Sequence, residues 1–550
     1  MPAQAAPAPP AGAAPAGRAP PPPGRFDLSR MRALLAGMGD PQDRVEIVHV
    51  AGTKGKGSVA AMLASILRAA GLRVGVYTSP HMHTIRERIQ APAAAAPAGA
   101  NSSNGGGGAT DDTRGAAAPP IISERDFASL AAAARAAAAA LPAPPSHFEA
   151  VTAMALAHFA DARADIAVIE TGMGGATDAT NVAPAGKLAA AVITAIGWDH
   201  VDALGGSLES ISAAKAGILR PGRPAVIAAQ PHAAAAASLR AAAAAAAAAP
   251  VVDVASAARV GAAGPVRLAA GPGWQLARQA VNVDAALPAL GPGAAAGGSS
   301  GSEQQQGQGQ EQRLSLKGVD MGLVGAHQRA NAAAAVAAAL QLRAAGWPLP
   351  DAAVRAGLEA AALPGRFQVA RFPPKSELGG GGGDDLRSQA PEQGQPYVVL
   401  DGAHTPESGA ALAAALREAF PPPAALALVV AMAGDKAHRE FVAALRAARP
   451  GVVVFTSAPI AGSTQRSAPP GTLAAHWQAA AMLAGGPPLR CRELIQAGVG
   501  AALERARREV LALSHQRGGG GGGGPPAVVC VTGSLHAVAA ATRALREADA

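Results

Sequence analysis

The chain is predicted to fold as an α/β protein whose two domains each contain a mostly parallel sheet. Its short, continuous apolar runs predict buried strands at Val45–Ala51, Val74–Thr78, Asp165–Glu170, Ala189–Ile196, Tyr397–Asp401, Ala425–Ala431, Val452–Thr456 and Ala527–Thr532. Helical stretches separate many of these runs, at Ser58–Ala70, Phe148–Phe159, Ala330–Ala344 and Ser408–Ala419. Strands without polar alternation are covered on both faces, which is typical of parallel sheets connected by helices. Functional residues are therefore expected in loops at the carboxyl ends of strands.

Composition narrows the function classes. The 550 residues are enough for at least two domains, which we expect to meet around 350–370. The net charge of +8 suits a nucleic-acid binder, but the arginines are scattered and aromatic residues make up only 3% of the chain. Cys491 and Cys530 form no C-x-x-C motif, so a disulfide scaffold is not expected. Such sparse cysteines suit a reducing intracellular compartment, and we expect a mitochondrial, cytoplasmic or plastid location. No apolar run is long enough to predict a membrane span.

Low-complexity sequence interrupts this pattern. Tracts near 92–119, 233–249, 285–312, 376–396 and 517–526 are rich in Ala, Gly, Pro, Gln or Ser. We expect them to be disordered insertions, because such compositions bury too little apolar surface to become ordered, although 233–249 could also be helical. Residues 1–25 are predicted to be a disordered tail or an organelle transit segment.

The segment from Val45 into the helix after Ser58 predicts a phosphate site. An apolar strand is followed by a glycine-rich turn, Gly52–Gly57, and then by a helix. Glycines allow backbone N–H groups to close around an anion at a helix N-terminus, and Lys56 adds a positive charge for the outer phosphates. A purely structural turn is the alternative.

Polar residues also follow other predicted strands. Ser79 comes after the second strand, and Glu170 ends an otherwise apolar one; both are oxygen ligands suited to Mg²⁺. His200 follows a further strand end, and Lys215 lies on the next predicted helix. The charged residues Arg86, Glu87 and Arg88 could hold an acidic substrate or form a solvated surface. For His200 and Lys215, a purely structural role is the alternative.

Together these motifs resemble the Mur-ligase superfamily and, within it, the folylpolyglutamate synthase/dihydrofolate synthase family. The sequences "GTKGKGS", "TSPH…RERI", "HFEAVTA", "ETGMGGATDATN", "DH…LGGSLESI…KAGI", "GAHQRANAAAA", "LPGRF", "DGAHT" and "VTGSLH" occur in the family's order. The resemblance implies a central P-loop ATPase domain at 26–362 and a C-terminal Rossmann-like glutamate-ligase domain at 363–550. It also implies a reaction in which ATP phosphorylates a pteroate or folate carboxylate and the amine of L-glutamate attacks the acyl phosphate.

The resemblance assigns roles to individual residues. ATP contacts are expected at Gly55, Lys56, Gly57, Ser58, Asn331, Arg366 and Asp401. Magnesium ligands are expected at Ser79, Glu170 and His200, with a monovalent cation such as K⁺ as a further candidate cofactor. Lys215 matches a lysine that is carbamylated in many relatives, and it is expected to act in catalysis with Lys56, Glu170 and His200.

Substrate contacts follow from the same resemblance. The pterin is expected to lie against Ser146, His147, Phe148 and Glu149, with Arg88 on an acidic group and His404, Ser534 and His536 on the glutamate side of the cleft. The chain departs from the common pattern at Thr405, where Asn is frequent, and at His147, where an aromatic is common. We expect the chain to bind small-molecule substrates and neither nucleic acid nor a membrane. We also expect it to be a monomer.

The choice between the two activities rests on finer matches. Phe148–Glu149, "DATN" and "LGGSLESI…KAGI" resemble dihydrofolate synthases and bifunctional enzymes, whereas Lys54 in "GTKGKGS" resembles the eukaryotic branch. We expect dihydrofolate synthase activity with polyglutamylation as a second activity. A dedicated tetrahydrofolylpolyglutamate synthase is the alternative, and a non-ligase P-loop NTPase or a nucleic-acid binder is a more distant one.

Overall fold

The computed structural model describes residues 27–93, 120–199, 203–269, 275–288, 311–372, 395–460, 463–483, 491–517 and 525–547. His200, the whole N-terminal tail at 1–25 and most of the tracts predicted near 92–119, 285–312, 376–396 and 517–526 lie outside these ranges. Within the described ranges, no helix is both long enough and apolar enough to cross a membrane.

A seven-stranded sheet forms the first half of the structure. Its strands are β1 (Glu46–Ala51), β2 (Val74–Tyr77), β3 (Ile89–Ala93), β4 (Ile166–Glu170), β5 (Leu188–Ile193), β6 (Ala225–Ile227) and β7 (Val251–Asp253). They lie in the order β3-β2-β4-β1-β5-β6-β7, and all pairs are parallel except β2 with β3. The parallel arrangement is the predicted one, and it places the loops after β1, β2, β4 and β5 at one edge.

The remaining strands form two further sheets. Three long strands, β8 (Ala258–Leu268), β9 (Ala277–Leu287) and β10 (Gln312–Met321), make an antiparallel sheet that the sequence pattern did not predict. A six-stranded sheet contains β11 (Gln368–Arg371), β12 (Tyr397–Leu400), β13 (Ala425–Val430), β14 (Val452–Phe455), β15 (Arg492–Ile495) and β16 (Ala527–Thr532). Its order is β11-β12-β16-β13-β14-β15, and only β11 runs antiparallel to its neighbour.

Fourteen α-helices are described. Those preceding β11 are α1 (Ser29–Gly37), α2 (Lys56–Ala69), α3 (Glu124–Ala138), α4 (His147–Asp161), α5 (Leu208–Ala216), α6 (Ala233–Ala245), α7 (Val254–Ala257), α8 (Ala326–Ala344) and α9 (Asp351–Ala360). Those following it are α10 (Pro406–Ala419), α11 (His438–Leu445), α12 (Pro470–Leu483), α13 (Val499–Arg517) and α14 (Leu535–Glu547).

Two of the predicted insertions are wrong in part. The tract near 233–249 forms α6, whose residues Ala235, Leu239 and Ala243 are buried in one apolar cluster. Residues four apart lie on one face of a helix, so even an alanine-rich tract can present an apolar stripe to a core. The tract near 285–312 also begins inside β9 and ends at the first residue of β10.

Helix α2 is central to the first half and fixes the start of the site. Its residues Met62, Leu63 and Ile66 are fully buried, and burial of each such side chain contributes about 1.5–3 kcal/mol. Helix α9 approaches it closely, because a Cβ built at Gly357 would lie only 2.3 Å from the Cα of Ile66. Helix α2, which begins at the phosphate loop, is thus packed in the core and in close contact with α9.

Candidate active site

The phosphate loop joins β1 to α2 as predicted. Gly52 and Gly55 have φ values of +148° and +88°, which glycine adopts at little cost. Helix α2 begins at Lys56, and Ser58 is buried in its first turn. The N–H groups of that turn are therefore available for an anion, as the sequence indicated.

Two lysines converge on this loop. The Nζ atom of Lys215, on α5, donates to the carbonyl oxygen of Gly52 at 2.8 Å, and the Nζ atom of Lys56 donates to the same oxygen at 3.2 Å. Burial, together with the neighbouring charge of Lys56, lowers the pKa of Lys215 to about 7. Lys215 is consequently a buried amine at the phosphate loop and not an exposed helix charge.

Glu170 lies on the other side of the loop. Its carboxylate accepts a hydrogen bond from the Ser79 backbone N–H at 3.1 Å, and a Cβ built at Gly57 would be 3.5 Å from its Oε2 atom. Glu170 is buried, and burial raises the pKa of its carboxyl group while the charge of Lys56 opposes that rise. A desolvated carboxylate beside a phosphate loop fits a divalent cation, which would favour its ionised form.

Residues from the chain beyond β10 complete this side of the cleft. The Oδ1 atom of Asn331, on α8, would lie 2.2 Å from a Cβ at Gly55, so helix and loop are in direct contact. The positive charge of Arg366 acts on the carboxyl group of Glu170 and lowers its pKa. Asn331 therefore lies at the phosphate loop, Arg366 lies within electrostatic range of Glu170, and their nucleotide contacts stay predictions.

Asp401 has a different immediate environment. Its two carboxylate oxygens accept the backbone N–H groups of Phe367 and Ala403, each at 2.8 Å, and its own N–H bonds to β16. Gly402 bonds in turn to the carbonyl of Gly365. Asp401 thus fastens the start of β11 to the end of β12, and its predicted nucleotide contact stays a prediction.

The predicted pterin stretch begins α4. Ser146 caps the helix, because its hydroxyl accepts the N–H of Glu149 at 3.2 Å while Glu149 accepts the N–H of Ser146 at 2.7 Å. Glu149 also accepts from the guanidinium of Arg30 at 2.8–3.1 Å. Its oxygens are therefore engaged within the protein, and its predicted contact with pterin stays a prediction; Arg30 was not predicted by any sequence signal.

Phe148 faces the predicted cleft. A Cβ at Gly172 would be 2.5 Å from its ring, and its ring centroid lies 6.0 Å from that of Tyr77. His147, at the first position of α4, is exposed. The half-buried ring of Phe148, next to the fully buried ring of Tyr77, thus lies beside the loop that follows Glu170, and its predicted contact with a pteridine stays a prediction.

The charges at 86–88 have three distinct environments. Arg86 donates to the carbonyl of Ile122 at 3.0 Å and pairs with Glu124. Glu87 accepts three backbone N–H groups of its own loop, and the Nε atom of Arg88 donates to His81 at 3.1 Å. Of the three, Arg88 is the one whose surroundings still suit an acidic substrate.

The glutamate-side residues are arranged mainly by backbone contacts. Ser534 caps α14, with its hydroxyl donating to the carbonyl of Ala431 at 3.1 Å and accepting the N–H of Ala537 at 3.1 Å. His404 contacts the carbonyl of Gly402 through Nδ1, and its pKa is lowered first by burial and also by the charge of Lys54. His404 therefore lies within electrostatic range of the phosphate loop.

Lys54 has a partner that the sequence did not reveal. Its Nζ atom lies 3.5 Å from a carboxylate oxygen of Asp199, and its backbone N–H donates to Ala195 at 3.0 Å. The hydroxyl of Thr53 also donates to the carbonyl of Gly197 at 3.3 Å. The phosphate loop is thereby attached along its length to the loop after β5.

Comparison with known proteins agrees with this arrangement. The Mur ligase middle domain matches residues 145–261, and the Mur ligase glutamate ligase domain matches residues 387–535. The dihydrofolate synthase/folylpolyglutamate synthase of Bacillus subtilis (strain 168) is 30% identical over 396 residues, which cover 72% of each chain.

Solved structures are similar over nearly the whole chain. The Mycobacterium tuberculosis folylpolyglutamate synthase complexed with ADP and AMPPCP has a TM-score of 0.67 and 28% identity, covering 94% of this chain and 95% of that one. The Yersinia pestis bifunctional enzyme complexed with AMPPNP and a Mn ion has a TM-score of 0.64 and 26% identity, covering 96% and 95%. The chain belongs to the dihydrofolate synthase/folylpolyglutamate synthase family and is an ATP-dependent ligase of the Mur ligase type.

Proposed function

We propose that the chain joins L-glutamate to the carboxylate of a pteroate or folate through an acyl phosphate. The observation that carries this proposal is the convergence of Lys56, Lys215, Glu170 and Arg366 on one phosphate loop, in a member of this ligase family. A free carboxylate is a poor acyl donor, and phosphorylation converts one of its oxygens into a leaving group.

The two steps balance without a further reactant. A carboxylate oxygen of the pteridine substrate forms a bond to the γ-phosphorus of ATP as the bond to the β-phosphate oxygen breaks, which releases ADP. The glutamate amine then forms a bond to the acyl carbon, loses a proton and expels inorganic phosphate. Such transfers depend mainly on positioning and on neutralising charge at the phosphate oxygens.

The residues at the phosphate loop fit these requirements. Lys56 and the first N–H groups of α2 would bind the phosphates, and Asn331 and Arg366 would hold the nucleotide from α8 and the segment before β11. Glu170 would hold Mg²⁺ together with Ser79 and His200, and the bound ion would neutralise charge on the transferred phosphoryl group. The divalent ion and the ATP analogue in the Yersinia pestis relative support this choice of cofactors.

Lys215 is proposed to be carbamylated. The pKa of about 7 leaves a substantial fraction of its amine uncharged near neutral pH, and the uncharged amine is the form that can react with CO₂. The product would turn the buried cation beside Lys56 into an anion. Mass spectrometry of the intact chain, run in bicarbonate without acid, tests for the added mass.

Dihydropteroate is the favoured acceptor and polyglutamylation the second activity. The half-buried ring of Phe148 beside Gly172, which packs near the fully buried ring of Tyr77, supports a flat pteridine at this place. The test supplies purified chain with ATP, Mg²⁺ and glutamate, and compares dihydropteroate with tetrahydrofolate. Phosphate release that needs all components supports a ligase. Release that occurs with tetrahydrofolate but not with dihydropteroate would favour a dedicated polyglutamate synthase. ATP turnover that needs no glutamate and gives no amide product would contradict the proposal.

The more distant alternatives have separate tests. If the chain is a non-ligase NTPase, the Asp401→Ala variant should bind ATP as well as the wild type does. If it is a ligase that depends on the link Asp401 makes between β11 and β12, the variant should lose ligase activity. A nucleic-acid binder would show steeply salt-dependent binding to DNA or RNA.

Domain limits, oligomeric state and location are also proposals. We place the central domain at 26–362 and the glutamate-ligase domain at 363–550, which limited proteolysis would test. We propose that the chain is a monomer, which light scattering would test. We also propose a mitochondrial, cytoplasmic or plastid location, which imaging of a fluorescent fusion would test.

A further inference from the structure

Lys215 stands at the end of a short helix, so its amine is positioned only as well as that helix end is held. Helix α5 has nine residues, and Lys215 is the last but one of them. The chain turns away at Gly217, and the last carbonyl groups of a helix have no partners within the helix itself. The end of α5 must therefore be held by groups from elsewhere in the chain.

The loop after β4 holds this helix end by close backbone contact. The backbone N–H of Ala176 donates to the carbonyl of Ala214 at 2.8 Å. A Cβ built at Gly175 would lie 2.7 Å from the carbonyl oxygen of Lys215, and a Cβ built at Gly217 would lie 2.3 Å from the Cβ atom of Ala176. Neither position has room for a side chain, so the loop and the helix end fit together because both residues are glycine.

Asn181 fastens the two segments through its buried side chain. Its Nδ2 atom donates to the carbonyls of Ala176 and Gly217, each at 3.0 Å, and its Oδ1 atom accepts from the guanidinium of Arg220 at 2.6 Å. Arg220 in turn donates to the carbonyl of Gly217 at 2.9 Å. We call this group of residues the α5 clasp: Gly175, Ala176, Asn181, Gly217 and Arg220.

The same loop is tied to the strand that leads into the phosphate loop. The hydroxyl of Thr180 donates to the carboxylate of Asp178 at 2.5 Å, so it accepts from the Nε2 atom of His49 at 2.8 Å. His49 lies in β1, shortly before Gly52, whose carbonyl accepts the amine of Lys215 at 2.8 Å. The contacts therefore form a closed circuit, from β1 through Thr180 and the α5 clasp to α5, and from Lys215 back to the end of β1.

We propose that Asn181 and Arg220 are positioning residues that set where the amine of Lys215 lies at the phosphate loop. The inference rests on the proposed function, because the place of this amine affects the reaction only if Lys215 takes part in it. Within the described part of the chain, the hydrogen bonds of both side chains go to backbone carbonyls and to each other. They therefore act through Lys215, and a displacement of about 1 Å in a reacting group can cost a large factor in rate.

The first experiment measures kcat and KM from glutamate-dependent phosphate release with ATP and dihydropteroate. It compares the wild type with Asn181→Ala, Lys215→Ala and the double variant Asn181→Ala/Lys215→Ala, and Arg220→Met serves as a milder variant that keeps the amide of Asn181. Ser514→Ala is the matched control: Ser514 is buried, and its hydroxyl donates at 2.6 Å to the carbonyl of Pro525, which precedes the amino end of β16. Melting temperatures are measured for all variants, and turnover is assayed below the lowest of them.

The expected result separates positioning from general destabilisation. Asn181→Ala should lower kcat at least about tenfold and change the KM for ATP less than about twofold, and Arg220→Met should lower kcat by a smaller factor. Lys215→Ala and the double variant should have the same kcat, since a residue that acts through Lys215 has no effect once Lys215 is gone. Ser514→Ala should melt at a lower temperature with the kcat of the wild type. Losses that multiply in the double variant, or a raised KM for ATP with unchanged kcat, would overturn the inference.

Crystal structures of the wild type and of Asn181→Ala, grown in CO₂-depleted buffer, decide the question without turnover. We expect the Nζ atom of Lys215 to lie beyond about 3.5 Å from the Gly52 carbonyl in Asn181→Ala, and an unchanged contact would overturn the inference. Full activity of Lys215→Ala in a chain that makes the amide would retain the ligase and reject the positioning role. Absence of glutamate-dependent phosphate release from the wild type with any pteridine would reject the ligase, while the crystals would still show whether the α5 clasp positions the amine.

Discussion

The contact between the phosphate loop and α8 can be tested by replacing Gly55 with alanine. Gly55 has a φ of +88°, and its Cβ position lies 2.2 Å from the Oδ1 atom of Asn331. A real contact needs well over 3 Å, so Asn331 would have to move away from the loop. The Nδ2 atom of Asn331 would then lose its 3.0 Å hydrogen bond to Gln328.

The magnitude has two parts. Placing alanine in the left-handed region costs about 1–2 kcal/mol, and loss of the Asn331 hydrogen bond costs about 1 kcal/mol more. Gly71, at the other end of α2, provides the matched control: its φ is +86°, but no atom lies within 4 Å of its Cβ position. Gly71→Ala therefore carries the same backbone strain without the collision.

The assay is the dissociation constant of an ATP analogue, with thermal unfolding as the measure of stability. We expect both variants to melt at a lower temperature, Gly55→Ala by more. Only Gly55→Ala should weaken nucleotide binding, by at least about tenfold, or about 1.4 kcal/mol. Equal nucleotide affinity in Gly55→Ala and Gly71→Ala would refute the proposed role of this contact.

Four further predictions concern charged side chains. Lys56→Ala should abolish turnover with the melting temperature preserved, and near-normal phosphate release would remove Lys56 from the phosphate site. Lys215→Ala should lose activity and partly regain it with an added short carboxylate; an inactive variant that no carboxylate rescues would contradict a carbamylated lysine. In CO₂-depleted buffer, where Lys215 keeps a free amine, its pKa is lowered from 10.5 to about 7, so the unfolded chain binds more protons between these pH values. The stability of wild type relative to Lys215→Met should therefore rise from pH 7 to 9 in thermal melts, and a flat difference would argue against the buried amine. Glu149→Gln, which keeps an acceptor for Ser146 but removes the charge paired with Arg30, should raise the KM for the pteridine more than that for ATP, and equal changes in both would indicate general destabilisation.

Local signals in the sequence were sufficient for the strand–loop–helix units. The apolar run before Gly52, the glycines and Lys56 predicted β1, a phosphate loop and α2. The structure confirms β1, α2 and the glycine-rich turn between them, and phosphate binding by that turn stays a prediction. The eight predicted strands are present with ends shifted by no more than a few residues. These units depend on residues that are neighbours in the chain, and burial of their apolar runs does not require knowledge of distant partners.

The antiparallel sheet was missed, and α6 was left open between a helix and a disordered tract, for a physical reason. Strands β8–β10 are weakly apolar, and their stability comes from cross-strand pairing with each other and packing against α8, which local composition does not reveal. The sequence of α6 is a low-complexity alanine tract. Only the packing of α6 against the apolar cluster that contains Leu239 shows that this tract is ordered.

The sequence by itself determined the class of this protein, the phosphate loop and the set of motifs around it. The tertiary structure decided how the individual side chains are used: Asn331 against Gly55, Lys215 on the carbonyl of Gly52, and Glu149 with Arg30, a partner 119 residues away. Motifs are local and follow from residue type and spacing. Pairings between distant segments depend on which helices and strands pack together, and that packing is fixed only when the whole apolar core has formed.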